Sequence, residues 1–301
     1  MKDLYVHIGM AKTGTTSIQK LLASSSTKLS GDKVLYPIAG RPQVDFDSKY
    51  GHHNLAWSII DKKIIDKESL IALRKEIENF DGKTVILSSE VFSKFDSKEV
   101  ESFLSYFHNF NVHLVIYLRN PLSYLKSSYK QMIKTGKISI SFQKYVENIV
   151  ADRCNYPLII NNWIKFVDSS NLYIRLFDKY RYNNTVIDSF FDILQLDYSH
   201  YERSSINRQN ISPDDLQILL IQKLNILDNF LNGSKFLHRI RRYILRNGGI
   251  YRFISSLISR STSFDSFYLN NLDYYKDYLN DLNEPLKGQW IRSGDWKYIQ
   301  C

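Results

Sequence analysis

The residues best suited to chemistry lie near the start of the chain. In HIGMAKTGTTSIQ, residues 7–19, Gly9 and Gly14 stand five apart, with Lys12 and Thr13 between them and Thr15, Thr16 and Ser17 behind. Glycines at that spacing let backbone N–H groups close round an anion, and a helix opening directly after them adds the positive end of its dipole. The nucleotide-hydrolysing version of such a loop reads G-x-x-x-x-G-K-[ST]; its lysine reaches the β and γ phosphates and the next hydroxyl holds magnesium. Here Thr15 takes the lysine's place, and the ammonium sits inside the loop at Lys12. From there it suits the oxygen that links a terminal phosphate to a group in transfer, the place for a leaving-group stabiliser.

Three other positions carry matching chemistry. Arg119 closes the apolar run VHLVIYL and offers a fork of donors to a phosphate, and Ser127 adds a hydroxyl eight residues later. Glu90 closes TVILSSE, where a carboxylate can act as general base. His53 in GHHNLAW competes for that role, because imidazole titrates near neutrality without help. His52 is read as a surface residue. Ser88 and Ser89 either orient a ligand or are strand hydroxyls bonded to backbone.

The elements that must position these groups alternate. DLYVHIG (3–9), TVILSSE (84–90), VHLVIYLR (112–119) and LYIRLFD (172–178) read as buried strands. Helical patterns follow each: TTSIQKLLASSS, SKEVESFLSYFHNF, PLSYLKSSYKQMI and TVIDSFFDILQL. Such βαβ units build a parallel sheet. The polar stretch 31–54, punctuated by Gly and Pro, is a long connection of the kind that carries binding residues. From about 212 the pattern turns helical and basic, with Arg239, Arg241, Arg242, Arg246, Arg252 and Arg260 among apolar and aromatic residues. That stretch reads as a solvated lid, a membrane-surface contact or a groove for an acidic polysaccharide. The expected partition is an α/β core over 1–211 and a helical basic extension over 212–301.

Composition sets outer limits. The chain has 301 residues, 44% of them hydrophobic, and a net charge of +9, which fits a large buried core and an anionic partner. Two cysteines form no CxxC pair, no cluster has zinc-ligand spacing, and the start lacks the pattern of a signal peptide. A cytoplasmic protein is expected, with the inner membrane face as a peripheral station. No nucleic-acid module is recognised, so nucleic acid is not expected as a partner.

The loop resembles that of the sulfotransferase family, whose K-[TS]-G-T-[ST] follows a strand and binds 3′-phosphoadenosine-5′-phosphosulfate (PAPS); Gly9, Lys12, Thr13, Gly14, Thr15 and Thr16 match it. YLRNPLSYLKSSY resembles the second family signature, an arginine, Asp or Asn, Pro, and a serine eight beyond the arginine: Arg119, Asn120, Pro121 and Ser127. Residues 155–197 and 205–225 look like segments of bacterial members that modify glycans. GDWK at 294–297 is similar to the family's C-terminal R-K-G-x-x-G-D-W-K, whose first three positions hold Gln289, Trp290 and Ile291 here, with Arg292 or Lys287 as substitutes. The resemblance implies a P-loop-like three-layer α/β/α fold with a central parallel sheet and a helical C-terminal extension. It implies PAPS as donor, 3′,5′-phosphorylated adenosine (PAP) as product, no metal, and a carbohydrate or glycolipid hydroxyl as acceptor. Glu90 then becomes the first candidate base and His53 the second. The competing readings are a P-loop kinase or ATPase, and a module that binds nucleotide or glycan without catalysis.

Overall fold

A computed structural model of the chain describes residues 1–44, 47–182, 185–201, 215–231, 237, 239–240, 243–244 and 272–301. The chain falls into two compact units. The first comprises Met1–Asn120, Tyr156–Asn207 and Pro285–Gln300; the second comprises Pro121–Asn155, Arg208–Glu284 and Cys301. The boundary expected near 211/212 lies outside the described residues.

In chain order the elements are β1 (Lys2–His7), α1 (Thr15–Ser24), α2 (Ser26–Gly31), β2 (Val34–Leu35), α3 (His53–Lys62), α4 (Lys67–Glu78), β3 (Thr84–Ser88), α5 (Ser97–Ser105) and β4 (Phe110–Leu118). Then come α6 (Pro121–Lys134), α7 (Phe142–Arg153), α8 (Tyr156–Ile164), β5 (Leu172–Leu176), α9 (Phe177–Tyr182), α10 (Val186–Ile193), α11 (Asp215–Phe230) and α12 (Leu272–Asn283).

The first unit is built on a five-stranded sheet in the order β2-β3-β1-β4-β5. Every neighbouring pair is parallel, with Val6 opposite Leu87 on one side and Leu114 on the other. Parallel strands covered on both faces read as continuous apolar runs, which is why four of the five were legible. β2 was not, because two residues carry no period. Side chains alternate between faces. Leu4, Val6, Val85, Leu87, Leu114 and Ile116 face Leu55 and Ile59 of α3, Phe103 of α5 and Trp163 of α8. Ile86, Val115 and Tyr117 face Ile18 and Leu22 of α1 and Phe190 and Phe191 of α10. Helices therefore cover both faces, giving three layers, α/β/α. The polar connection at 31–54 holds β2 and leads into α3.

Strand order reverses at β1, whose neighbours are β3 and β4. In open α/β sheets the crevice beyond the carboxyl ends of the strands at such a point is where ligands bind. The loop Ile8–Gly14, the pair Ser89–Glu90 and Arg119 all begin there, one from each of β1, β3 and β4.

In the second unit α6 and α11 are tied by Asn225, whose side-chain amide donates to the Ile133 and Ile138 carbonyls at 2.9 and 3.1 Å. Tyr129 meets Phe142 edge-on, with ring centroids 5.2 Å apart. Among the described residues no helix is long and apolar enough to cross a membrane.

Candidate functional site

The loop between β1 and α1 is held in an unusual backbone. Gly14, at φ 79°, caps α1 in the left-handed region, and Lys12, at φ 68°, is also left-handed. For a residue with a Cβ that conformation costs roughly 1–2 kcal/mol, so neighbours must enforce it. They do: the Thr13 hydroxyl donates to the Met10 carbonyl at 2.5 Å, and Arg119 Nη1 donates to the Lys12 carbonyl at 3.0 Å. Helical bonding begins with the Ser17 and Ile18 N–H groups on the Gly14 carbonyl, and the amides before them are the orphan donors of a helix start. Gly9 is needed for a different reason. A Cβ there would lie 2.1 Å from Thr15 Cγ2 and 2.8 Å from His7 Nε2.

Glu90 stands beside this loop, its side chain 22% exposed. The Thr15 hydroxyl donates to its Oε1, and Gln19 Nε2 donates to its Oε2 at 3.4 Å. His53 Nε2 lies 3.6 Å from the same Oε2. Ser89 Oγ accepts the Val91 N–H at 3.1 Å, which leaves its own proton for His53 Nδ1, 2.8 Å away. The imidazole then carries its hydrogen on Nε2, facing the carboxylate. Burial pushes the His53 pKa down, and the Glu90 charge opposes this only in part. At 3.6 Å the His53 Nε2 lies beyond hydrogen-bond distance of Oε2, and the donors that reach the carboxylate are Thr15 and Gln19.

His52, expected at the surface, is fully buried. Its Nδ1 accepts the Ser88 N–H at 3.1 Å and its Nε2–H donates to the Pro37 carbonyl at 3.0 Å. Nδ1 thus fastens the long connection to the end of β3, and Nε2 ties the connection to its own Pro37. Burial, with the Arg41 charge nearby, lowers its pKa to about 3. His7 is a second buried neutral imidazole, lowered to about 3 by burial alone. It meets Ser88 Oγ at 2.9 Å and packs edge-on against Tyr117, directly behind Gly9. Sequence reading passed over His7, because a polar residue inside an apolar strand gives no sign of which neighbours face it.

Arg119 is 8% exposed. Besides the Lys12 carbonyl it faces the Phe177 ring at 5.3 Å, and its Nε lies 3.8 Å from Asp178 Oδ1. Burial depresses its pKa and Asp178 works against that. Asp178 also accepts the Asn120 N–H at 2.9 Å, so one carboxylate orients both residues that follow β4. Arg181 approaches the same Phe177 ring at 6.0 Å. Phe177, Asp178 and Arg181 come from α9, which the sequence presented only as the tail of a strand.

The chain matches no family model. Over 206 residues, 66% of this chain, it is 23% identical to an uncharacterized protein of Archaeoglobus fulgidus. The match covers 55% of that protein, so the chain spans about half the relative's length. Two solved structures are similar to it. One is a sulfotransferase from Alicyclobacillus acidocaldarius, with TM-score 0.46 and 14% identity, covering 79% of this chain and 99% of that one. The other is the sulfotransferase domain from the curacin biosynthetic pathway, with TM-score 0.41 and 12% identity, covering 70% and 78%. At these values the chemistry rests on this chain's own residues.

The site thus gathers Gly9, Lys12, Thr13, Gly14, Thr15, Thr16 and Ser17 on one loop and helix start, with Glu90, His53 and Arg119 around it. Arg292 is exposed where the 3-10 turn Ser293–Tyr298 begins. That segment is anchored beside Arg119: the Asn120 amide donates to the Gln300 carbonyl at 2.7 Å, and Lys179 pairs with both oxygens of Asp295 at 2.9 Å. Ser127 lies on α6, in the second unit. Arg239 is exposed, whereas Arg241, Arg242, Arg246, Arg252 and Arg260 lie outside the described residues.

Proposed function

We propose that this chain is an enzyme that transfers a sulfuryl group from PAPS to a hydroxyl of a carbohydrate or glycolipid acceptor. The observation that carries the reading is the bond from the Thr15 hydroxyl to Glu90. Thr15 opens the helix at the mouth of the anion loop, so a single side chain ties the candidate base to the candidate leaving-group station.

In this reading Glu90 accepts the proton of the acceptor hydroxyl as that oxygen bonds to sulfur. The bond between sulfur and the 5′-phosphate oxygen breaks, and its electron pair stays on that oxygen, where the Lys12 ammonium and the loop amides carry the developing charge. Thr15 and Gln19 keep the carboxylate aimed. Arg119 and Arg181 supply cations for the 3′-phosphate, and its grip on the Lys12 carbonyl makes Arg119 a link between the two phosphate positions. Ser127 and Arg292 enter by resemblance alone. The net charge of +9 favours an anionic acceptor or surface over a neutral one.

The test compares ligands by thermal shift and then measures transfer. PAP is expected to raise the melting temperature clearly more than AMP or Mg-ATP. Glu90→Gln is expected to keep that shift and to lose sulfuryl transfer by about 10²-fold or more. A shift from Mg-ATP as large as that from PAP would favour the kinase or ATPase reading, and normal turnover in Glu90→Gln would remove Glu90 as the base.

A further inference from the structure

His7 ends β1 as a fully buried imidazole among apolar strand residues. Burial lowers its pKa to about 3, so near neutral pH the ring brings no charge and exchanges no proton. Its Nε2 has no hydrogen-bond partner among the described residues. An aliphatic residue would fill an interior strand position at less cost, because a buried polar atom without a partner is destabilising. What the ring contributes must come from its other nitrogen.

Nδ1 meets Ser88 Oγ at 2.9 Å, across the register in which His7 stands opposite Ser88. The same oxygen accepts a hydrogen from Gln19 Nε2 at 3.1 Å, and Gln19 Nε2 also reaches Glu90 Oε2 at 3.4 Å. A carboxylate can only accept, so the Gln19 group that faces it is the amide nitrogen, whose two hydrogens serve the two oxygens. A line of side chains, His7–Ser88–Gln19–Glu90, therefore runs from β1 across β3 and α1 to the candidate base. Its first three members are buried, with Gln19 only 1% exposed.

Ser88 is the fixed point of this line. Its N–H donates to His52 Nδ1 at 3.1 Å and its carbonyl accepts the His52 N–H at 2.7 Å, which clamps the backbone. The hydroxyl still turns about χ1, and its side-chain partners, His7 among them, choose the rotamer. With Nδ1 removed, the hydroxyl can swing away, Gln19 loses its anchor, and the 3.4 Å contact to Glu90 is the first to go. Catalytic hydrogen bonds are often long before substrate binds and tighten afterwards, so a donor held in place beforehand matters most at such a contact.

We propose that His7 is a positioning residue of the transfer reaction: through Ser88 and Gln19 it orients Glu90 toward the acceptor hydroxyl, without itself touching donor or acceptor. The inference rests on the transfer reading. It adds that catalysis depends on a polar atom at the Nδ1 position, and neither on Nε2 nor on titration of the ring.

The test uses two replacements of one shape. Asparagine and leucine share a branched skeleton, and asparagine alone puts a polar atom where Nδ1 lies. His7→Asn and His7→Leu are made in the full chain, each also in a Glu90→Gln background. Labelled sulfate transfer from PAPS is measured with a mixture of 4-nitrophenyl glycosides of glucose, galactose, N-acetylglucosamine and glucuronic acid, alongside release of PAP. His7→Leu is expected to lower the apparent kcat about tenfold or more, with the KM for PAPS and the thermal shift from PAP unchanged, and His7→Asn to recover most of that loss. In the Glu90→Gln background His7→Leu is expected to cost less than about twofold, because a residue that acts through Glu90 has nothing left to orient. An equal loss in both backgrounds, equal activity of the Asn and Leu variants, or a wild-type kcat in His7→Leu overturns the proposal and leaves the transfer reading standing. If the wild-type chain moves no sulfate to any of these acceptors and releases no PAP, the transfer reading falls and the proposal with it. Should His7→Leu not fold, Ser88→Ala removes the intermediate hydroxyl while keeping the ring, and an equal loss in both backgrounds there overturns the proposal.

Discussion

The buried histidines make the first unit sensitive to mild acid. His7 and His52 are fully buried and neutral, each with its pKa lowered to about 3, against an unfolded value near 6.5. Above pH ~6.5 neither the folded nor the unfolded chain protonates them, and their contribution to stability is fully present. As the pH falls through that value, the unfolded chain takes up two protons that the folded chain refuses. Each costs about 1.4 kcal/mol per pH unit, so the pair removes roughly 2.7 kcal/mol per unit, or about 5 kcal/mol between pH 6.5 and 4.5. His53, also lowered by burial, acts in the same direction. That loss is comparable with the whole stability of an ordinary domain, roughly 5–15 kcal/mol. Urea denaturation at constant ionic strength, at pH 7.5, 6.5, 5.5 and 4.5, measures it directly. The midpoint is expected to hold between pH 7.5 and 6.5 and then to fall steeply. In a His7→Gln, His52→Gln double variant the slope below pH 6.5 is expected to shrink by more than half. A flat midpoint down to pH 5 would refute the reasoning, as would an unchanged slope in the double variant.

Gly9→Ala forces Thr15 or His7 to move, since a Cβ would lie 2.1 Å from Thr15 Cγ2. Overpacking of this kind costs about 1–3 kcal/mol, and displacing the Thr15 hydroxyl also releases Glu90, so calorimetry should show a lower melting temperature together with a lost PAP shift. Arg119→Lys keeps the charge but loses the fork that bonds the Lys12 carbonyl and stacks on Phe177; PAP affinity should fall at least about tenfold, and a wild-type value would end the linking role of Arg119. Trp163→Ala empties the opposite face of the sheet, where the indole stacks on Phe95 at 5.9 Å. A loss of about 3–5 kcal/mol is expected by denaturation, with the PAP shift intact.

Much of the architecture is legible in the sequence alone. Four strands, the helices after them, and the loop from Gly9 to Gly14 follow from patterns within a few residues of one another, because burial on both faces and the need for left-handed backbone are local demands. The residue types at Lys12, Glu90, His53 and Arg119 were legible for the same reason. What they touch was not. The Arg119 bond to Lys12 spans 107 residues and the Thr15 bond to Glu90 spans 75, and such pairs exist only once the strand order is set. Nor does anything local separate His52, clamped between Ser88 and Pro37, from the adjacent His53, which faces Glu90. Sequence decided which groups are available and where the chain turns. Tertiary structure decided which groups are desolvated and which side chains meet, because both depend on distances between segments that the chain brings together only by folding.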